Sequence, residues 1–246
     1  MRYRLLLSIF MLALMISPLK AEPRLIAGEA PLFCYMKRDK VRGVACDLLR
    51  EMAQRVGRSG EIELMPFKRA LHETNHTQDA LMVPVARTDE RAPDYQWLTE
   101  ILQEEFLLAA LRESPADISS FDAARKLDIG VLIGGASAQI IKDQRLTHVQ
   151  EVYTEELNVR KLAAGRIDAW LGSWNVMRQA QRDLGYPDDA LRRGAVGIRV
   201  RIYLAGSPGL GPLEVTKWLT AFKSMQDDGV YARILQRYRY QQPLEQ

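Results

Sequence analysis

The sequence is short of the residues on which most metal and nucleophile chemistry depends. Its 246 residues hold 3 histidines and 2 cysteines. No Ser-His-Asp or Cys-His order stands out, so no acyl-transfer constellation is expected. Gly134-Gly135 lacks both the G-x-G-x-x-G pattern and the P-loop lysine, which sets aside two common nucleotide loops. Two cysteines are too few for a disulfide-stapled miniature. No internal repeat and no low-complexity tract is visible. After the first 21 residues no stretch is apolar enough to cross a bilayer.

Net charge is missing too, once the amino-terminal segment is set aside. The formal charge of +3 comes from 34 basic and 31 acidic residues. Arg2, Arg4 and Lys20 supply that excess, because residues 1–21 carry no acid. The remainder is neutral, which excludes the basic face that nucleic-acid binding needs. Lys37-Arg38-Asp39-Lys40 reads as solvated loop charge.

The same segment is an address. Arg2 and Arg4 form a positive start, Leu5 to Ile16 an apolar run, and Ser17 to Ala21 a stretch suited to cleavage. This is the pattern of a secretory signal peptide, too short for a comfortable membrane span. Cleavage after Ala21 leaves about 225 residues, room for one large domain or two lobes. A secreted location lets Cys34 and Cys46 form a lasting disulfide. A hairpin centred on Lys40 would set them opposite each other. Two free buried thiols are the alternative, which geometry decides.

What is present is an alternation of strands and helices. Arg24 to Ala27 reads as a strand, and Asp47 as the N-cap of a helix whose apolar face is Leu48, Leu49, Met52, Ala53 and Val56. Glu61 to Met65, the helix after Pro66 and the strand Leu81 to Ala86 complete a β-α-β-α-β block. A second block runs from Asp128 through Trp174 to Leu184. Gly194 to Ala205 gives one or two strands, and helices from Pro212 and Val230 close the chain. Two similar blocks and a returning helical tail make two lobes, with a ligand in the cleft between them.

The apolar run Leu81 to Ala86 ends abruptly in Arg87-Thr88-Asp89-Glu90-Arg91. In open α/β sheets, ligands sit outside the carboxyl ends of strands. Arginine grips a planar carboxylate with two parallel bonds. This corner is therefore a candidate anchor for an anionic small molecule. The other reading is a surface loop whose arginines pair with Asp89, Glu90 and Asp94.

These features, in this order, resemble the solute-binding proteins of bacterial ABC importers, family 3, which have the type 2 periplasmic-binding fold. The resemblance rests on Gly43 to Leu49, Pro66 to Leu71, Arg87 to Arg91 with Tyr95-Gln-Trp97, Ile129 to Ser137, Leu162 to Ala169 and Asp228 to Ile234. It implies an α/β, two-lobed fold with the ligand cleft between the lobes. Lobe one would comprise residues 22–107 and 202–246, and lobe two residues 108–201. It also implies a periplasmic monomer that binds a small solute and serves an ABC permease or a sensor in the inner membrane. Arg91 matches the arginine that clamps a ligand's carboxylate, Thr88 a backbone or hydroxyl contact, and Phe67 an aromatic position at the cleft. Gly135 to Ser137 matches the turn whose N–H groups meet the carboxylate from the second lobe.

Two departures alter the expected ligand. Ala86-Arg87 stands where amino-acid binders commonly have a hydroxyl residue. Ser173 stands where they place an acid for the ligand's ammonium, and a serine cannot neutralise it. The expected solute is therefore anionic or polar and need not be an α-amino acid, with Arg87 adding a second positive charge. Trp170 and Trp174 bracket Ser173, so one of them, Trp174 first, is expected to line the site.

Two rival readings remain. His72-Glu73-Thr74-Asn75-His76 matches the zinc-protease pattern H-E-x-x-H, but at the frayed end of a short helix, with only His148 left as a further histidine. A solvated helix end is the expectation, with no metal and no cofactor. An enzyme on the same fold, dehydratase-like and acting on a carboxylated small molecule, would need a placed acid or base. Glu155, Glu156 and Asp168 are nearby, none with a persuasive partner, and no catalytic residue is assigned.

Overall fold

The computed structural model describes residues 22–133 and 136–243. The signal-peptide segment lies outside them. Ten strands and eight helices of four residues or more appear among the described residues. In chain order the first part holds β1 (Arg24–Gly28), β2 (Tyr35–Lys37), β3 (Lys40–Arg42), α1 (Val44–Arg55), β4 (Glu63–Met65), α2 (Phe67–His76), β5 (Ala80–Ala86) and β6 (Gln96–Leu111). The middle holds α3 (Phe121–Ala124), β7 (Ile129–Leu132), α4 (Ala136–Gln144), β8 (Val149–Val152), α5 (Glu155–Ala163), β9 (Ala169–Ser173) and α6 (Trp174–Asp183). The chain returns through β10 (Leu191–Gly206), α7 (Pro212–Asp227) and α8 (Val230–Arg237).

Eight strands form one mixed sheet in the order β4-β1-β5-β10-β6-β9-β7-β8. β1 pairs in parallel with β4 and β5, and β7 with β8 and β9. Parallel strands covered on both faces need apolar side chains throughout, which is why Leu81 to Val85 is fully buried. Pro84 has no N–H for the ladder, and the register with β10 shifts beside it, Tyr203 facing Val85 and Ala205 facing Met82.

β6 and β10 are each 16 residues long and pair along their whole length. They join two separate sets of apolar clusters. Ile101 and Leu102 of β6 belong to the core with α1, α7 and α8 that buries Trp218. Leu107 and Ala109 belong to the core with Trp170 and Met177, and Leu108 and Ala110 to the core under α3 and α4. β10 makes the same change, from Leu191 and Ala195 to Ile202 and Leu204. Between Leu102 and Leu107 the strand carries Gln103-Glu104-Glu105-Phe106, a polar interruption where one lobe gives way to the other. In the sequence only the apolar run Phe106 to Leu111 stands out, and the reach of both strands across the acids does not.

Two local expectations are corrected. Asp47 does not cap α1; Gly43 does, with φ 124°, where an added Cβ would stand 2.2 Å from the Phe33 carbonyl oxygen. Asp47 lies inside the helix and is buried, accepting from Arg50, Arg237 and Tyr238. The hairpin turns at Arg38-Asp39, both at positive φ, and only Cys34 adjoins it, Cys46 being in α1. The Cys34–Cys46 disulfide is formed, with the Cα atoms 5.4 Å apart, and it ties the loop after β1 to the first turn of α1.

Candidate functional site

The site begins where β5 leaves the sheet. The turn Thr88–Ala92 is closed by Arg91 N–H and Ala92 N–H donating to the Thr88 carbonyl at 3.1 and 2.8 Å. Thr88 Oγ1 accepts from the same Arg91 N–H at 3.3 Å. Tyr95 donates to the Leu71 carbonyl and Trp97 Nε1 to the Ala92 carbonyl, which fixes the loop against α2. The arginines are therefore displayed from a wired corner rather than a slack loop.

Both guanidinium groups lie over aromatic rings. Arg91 Cζ stands 5.6 Å from the Phe67 ring centroid and Arg87 Cζ 5.7 Å from that of Trp97. Arg91 also donates to the Ala86 carbonyl at 3.3 Å. Neither arginine forms an ion pair among the described residues, so the pairing with Asp89, Glu90 and Asp94 does not occur. Phe67 in turn rests on Gly28, where an added Cβ would be 2.5 Å from its ring. Glycine at the end of β1 is what lets the ring, and so Arg91, come this close to the sheet.

On the other lobe Ser173 ends β9 and caps α6, its hydroxyl accepting from Val176 N–H at 3.4 Å. Ser173 and Trp174 are each 6% exposed. Trp174 donates to Gln241 Oε1 at 2.8 Å and sits beneath Arg178 and Arg193, so it is built into the contact with the carboxyl-terminal tail. Trp170 is wholly buried and donates to Glu155 Oε2 at 3.0 Å. Ser137 is buried in the first turn of α4, and Gly135 lies outside the described residues.

A cavity of about 500 Å³ opens between the loop after β1 and the second lobe. Glu29, Tyr35 and Lys37 line one wall, and Tyr153, Glu156 and Asp183 the other. None of the described ligand-binding residues predicted from sequence lines it, but Glu155 and Glu156, the acids weighed for an enzyme, do, and Glu29 directly follows the Gly28 that supports Phe67. Its acids come from the loop after β1, from α5 and from α6, so no single local pattern gathers them.

Two of the three enzyme candidates, Glu155 and Asp168, have structural duties, and Glu156 lines the cavity. Glu155 accepts from Asn158 Nδ2 and Trp170 Nε1, and burial pushes its carboxyl above the usual range. Asp168 accepts from Asp128 N–H at 2.9 Å. In the H-E-x-x-H stretch, His72 and His76 stack at 4.1 Å, His76 Nδ1 approaches the His72 carbonyl, and Glu73 pairs with Arg24.

Comparison with known proteins decides the family. The model of the bacterial extracellular solute-binding proteins, family 3, matches residues 25–241. The chain belongs to that family. A relative in Bacillus subtilis (strain 168), the probable amino-acid-binding protein YxeM, is 21% identical over 164 residues. That match takes in 65% of this family 3 chain and 62% of the relative. Three solved structures share the two-lobed fold. The second substrate-binding domain of a putative amino acid ABC transporter from Streptococcus pneumoniae Canada MDR_19A superposes with a TM-score of 0.69 at 18% identity, covering 87% of this chain and 99% of that one. A histidine kinase sensor domain gives 0.68 at 16%, covering 88% and 96%. The ancestral amino acid-binding protein AncCDT-1, a precursor of cyclohexadienyl dehydratase, gives 0.66 at 17%, covering 88% and 94%.

Proposed function

We propose that this family 3 protein captures a small, amino-acid-like solute in the periplasm and holds it by its carboxylate on Arg91, with Arg87 as a second cation. The observation that carries this reading is the pair of arginines at the end of β5. Each lies over an aromatic ring, and neither has a carboxylate partner among the described residues. A guanidinium so placed loses little freedom when a carboxylate arrives, and the fork offers two parallel bonds. Thr88 and Phe67 complete the first wall, with Ser137 and Ser173 on the second. The rest of the solute extends toward the acid-lined cavity. There Glu29, Glu156 and Asp183 supply the negative charge that Ser173 lacks, so a solute with both a carboxylate and a cationic group fits. Closure of the lobes would dry the cleft and strengthen every charge contact in it. A membrane ABC permease receives the solute in this reading, and a sensor is the other receiver.

Titrating the melting temperature with amino acids, dicarboxylates and nucleoside-like solutes tests the reading. A saturable rise with amino acids, lost in Arg91→Ala, is expected. Unchanged affinity in Arg91→Ala would overturn the anchor. Turnover of a bound solute would replace the receptor with a dehydratase-like enzyme.

A further inference from the structure

The contact between the lobes contains a carboxyl group that the solute site does not use. Glu104 lies on β6 at the crossing between the cores and is 2% exposed. Its Oε1 accepts from Glu105 N–H at 3.0 Å and from Asn175 N–H, in the first turn of α6, at 3.3 Å. Its Oε2 accepts from Asn175 Nδ2 at 3.0 Å and lies 3.1 Å from the Tyr240 hydroxyl. Asn175 and Gln241 exchange two further bonds, Asn175 Nδ2 donating to the Gln241 carbonyl at 2.9 Å and Gln241 N–H to Asn175 Oδ1 at 2.8 Å. Glu104 thus touches all three pieces that meet here: the crossing strand, α6 of the second lobe, and the tail after α8.

The hydrogen-bond count at Tyr240 is one proton short. Its hydroxyl faces two oxygens, the Gln103 carbonyl at 2.8 Å and Glu104 Oε2 at 3.1 Å, and has one proton to give. The carbonyl is the nearer. With Glu104 ionised, the second contact sets oxygen against oxygen. With Glu104 protonated, Tyr240 donates to Gln103 and accepts from Glu104, and both contacts become hydrogen bonds.

The surrounding charges do not supply a counter-ion. Glu105, next along β6, is held by Arg193 and Arg199 of β10. On α6, Arg178 lies over Trp174 and donates to the Arg239 carbonyl of the tail. Arg239 itself pairs with Asp188. Tyr231 of α8 donates to the Ile101 carbonyl. Among the described residues Glu104 has no ion pair.

We propose that Glu104 is a proton-carrying pin of the seam between the lobes: it holds a proton while α6 and the tail are docked, and gives it up when they part. Burial pushes its carboxyl up to about 7, from an ordinary 4.5, against the lowering pull of Asn175, Glu105 and Tyr240. The docked form then binds the proton more tightly than the solvated form. Its contribution to docking is largest at low pH and is lost as pH rises through the window between those two values. Mild acid fastens the seam and alkali loosens it.

The test uses the full chain and no solute, so its failure and that of the solute reading are separable. Carbon-13 labelling of the glutamate carboxyls, with through-bond assignment, follows Glu104 directly. A midpoint near 7 is expected. Amide exchange then reads the seam. The protection of Gln241 N–H, corrected for intrinsic rates, should fall about tenfold from pH 6 to 8.5 in the wild type and stay level in Glu104→Gln. A Glu104 midpoint in the ordinary carboxylate range overturns the proposal, and the carboxyl titration decides this even where the variant does not fold. An equal fall in both chains overturns it as well.

Discussion

The end of β5 and the seam beside Trp174 are both rich in arginine, and they treat the charge in opposite ways. At the seam, Glu105 is 4% exposed and holds both Arg193 and Arg199, while Asp188 holds Arg239. At the end of β5, among the described residues, Arg87 and Arg91 meet aromatic faces and a carbonyl and no carboxylate. At the seam most of the charges find carboxylates, Arg178 excepted, which meets the Trp174 face and the Arg239 carbonyl. At the end of β5 the charges are held still with no carboxylate partner among the described residues, at the expense of stability that a partner would have supplied. Arginine content therefore says little; whether each guanidinium already has a carboxylate says a great deal.

The contrast can be broken from either side. Arg91→Ala should have the largest effect, a loss of at least about a hundredfold in solute affinity, roughly 3 kcal/mol. The unliganded chain should melt within about 1 °C of wild type, because no internal ion pair is lost. Calorimetry and thermal melting measure the two together, and a large fall in melting temperature would make Arg91 structural. Glu105→Ala should behave in reverse, costing about 2 kcal/mol of stability in urea unfolding by stranding two guanidinium groups that water partly rescues. A change confined to solute affinity would show that this pair serves the site. Arg87→Ala comes next, weakening binding about tenfold, since its partner Trp97 sets it at the rim. A wild-type affinity would remove Arg87 from the site. Asp188→Ala should be the mildest, below about 1 kcal/mol, since it removes the exposed Arg239 pair, screened by salt, and a 3.5 Å contact to Arg182.

Much of the scaffold is legible in the sequence because short parallel strands are continuous apolar runs and the helices between them have one apolar face. Leu81 to Val85 could be nothing else, and the abrupt change at Arg87 marked a strand end where ligands collect. The family pattern then singled out Arg91, Thr88 and Phe67, which the fold brings together at one corner. The 16-residue reach of β6 and β10 was not legible, because Glu104 and Glu105 interrupt the apolar pattern where the strand leaves one core for the next. Glu29 and Asp183 were missed for another reason: no local pattern sets either apart, while Glu156 was legible only as an acid near the cleft. Ser173 was legible as a position at a strand end, but its capping bond to Val176 was not.

Order and spacing along the chain thus determined the two α/β blocks, the tail that returns to the first, and the arginine corner, since each depends on neighbours within a few turns or one strand. Only tertiary structure decided whether those arginines were already paired, which acids reach the cavity, and that Asn175, Tyr240 and Gln241 close around Glu104. Charge pairing and burial are set by groups far apart in sequence, and a local pattern carries no information about which of them will meet.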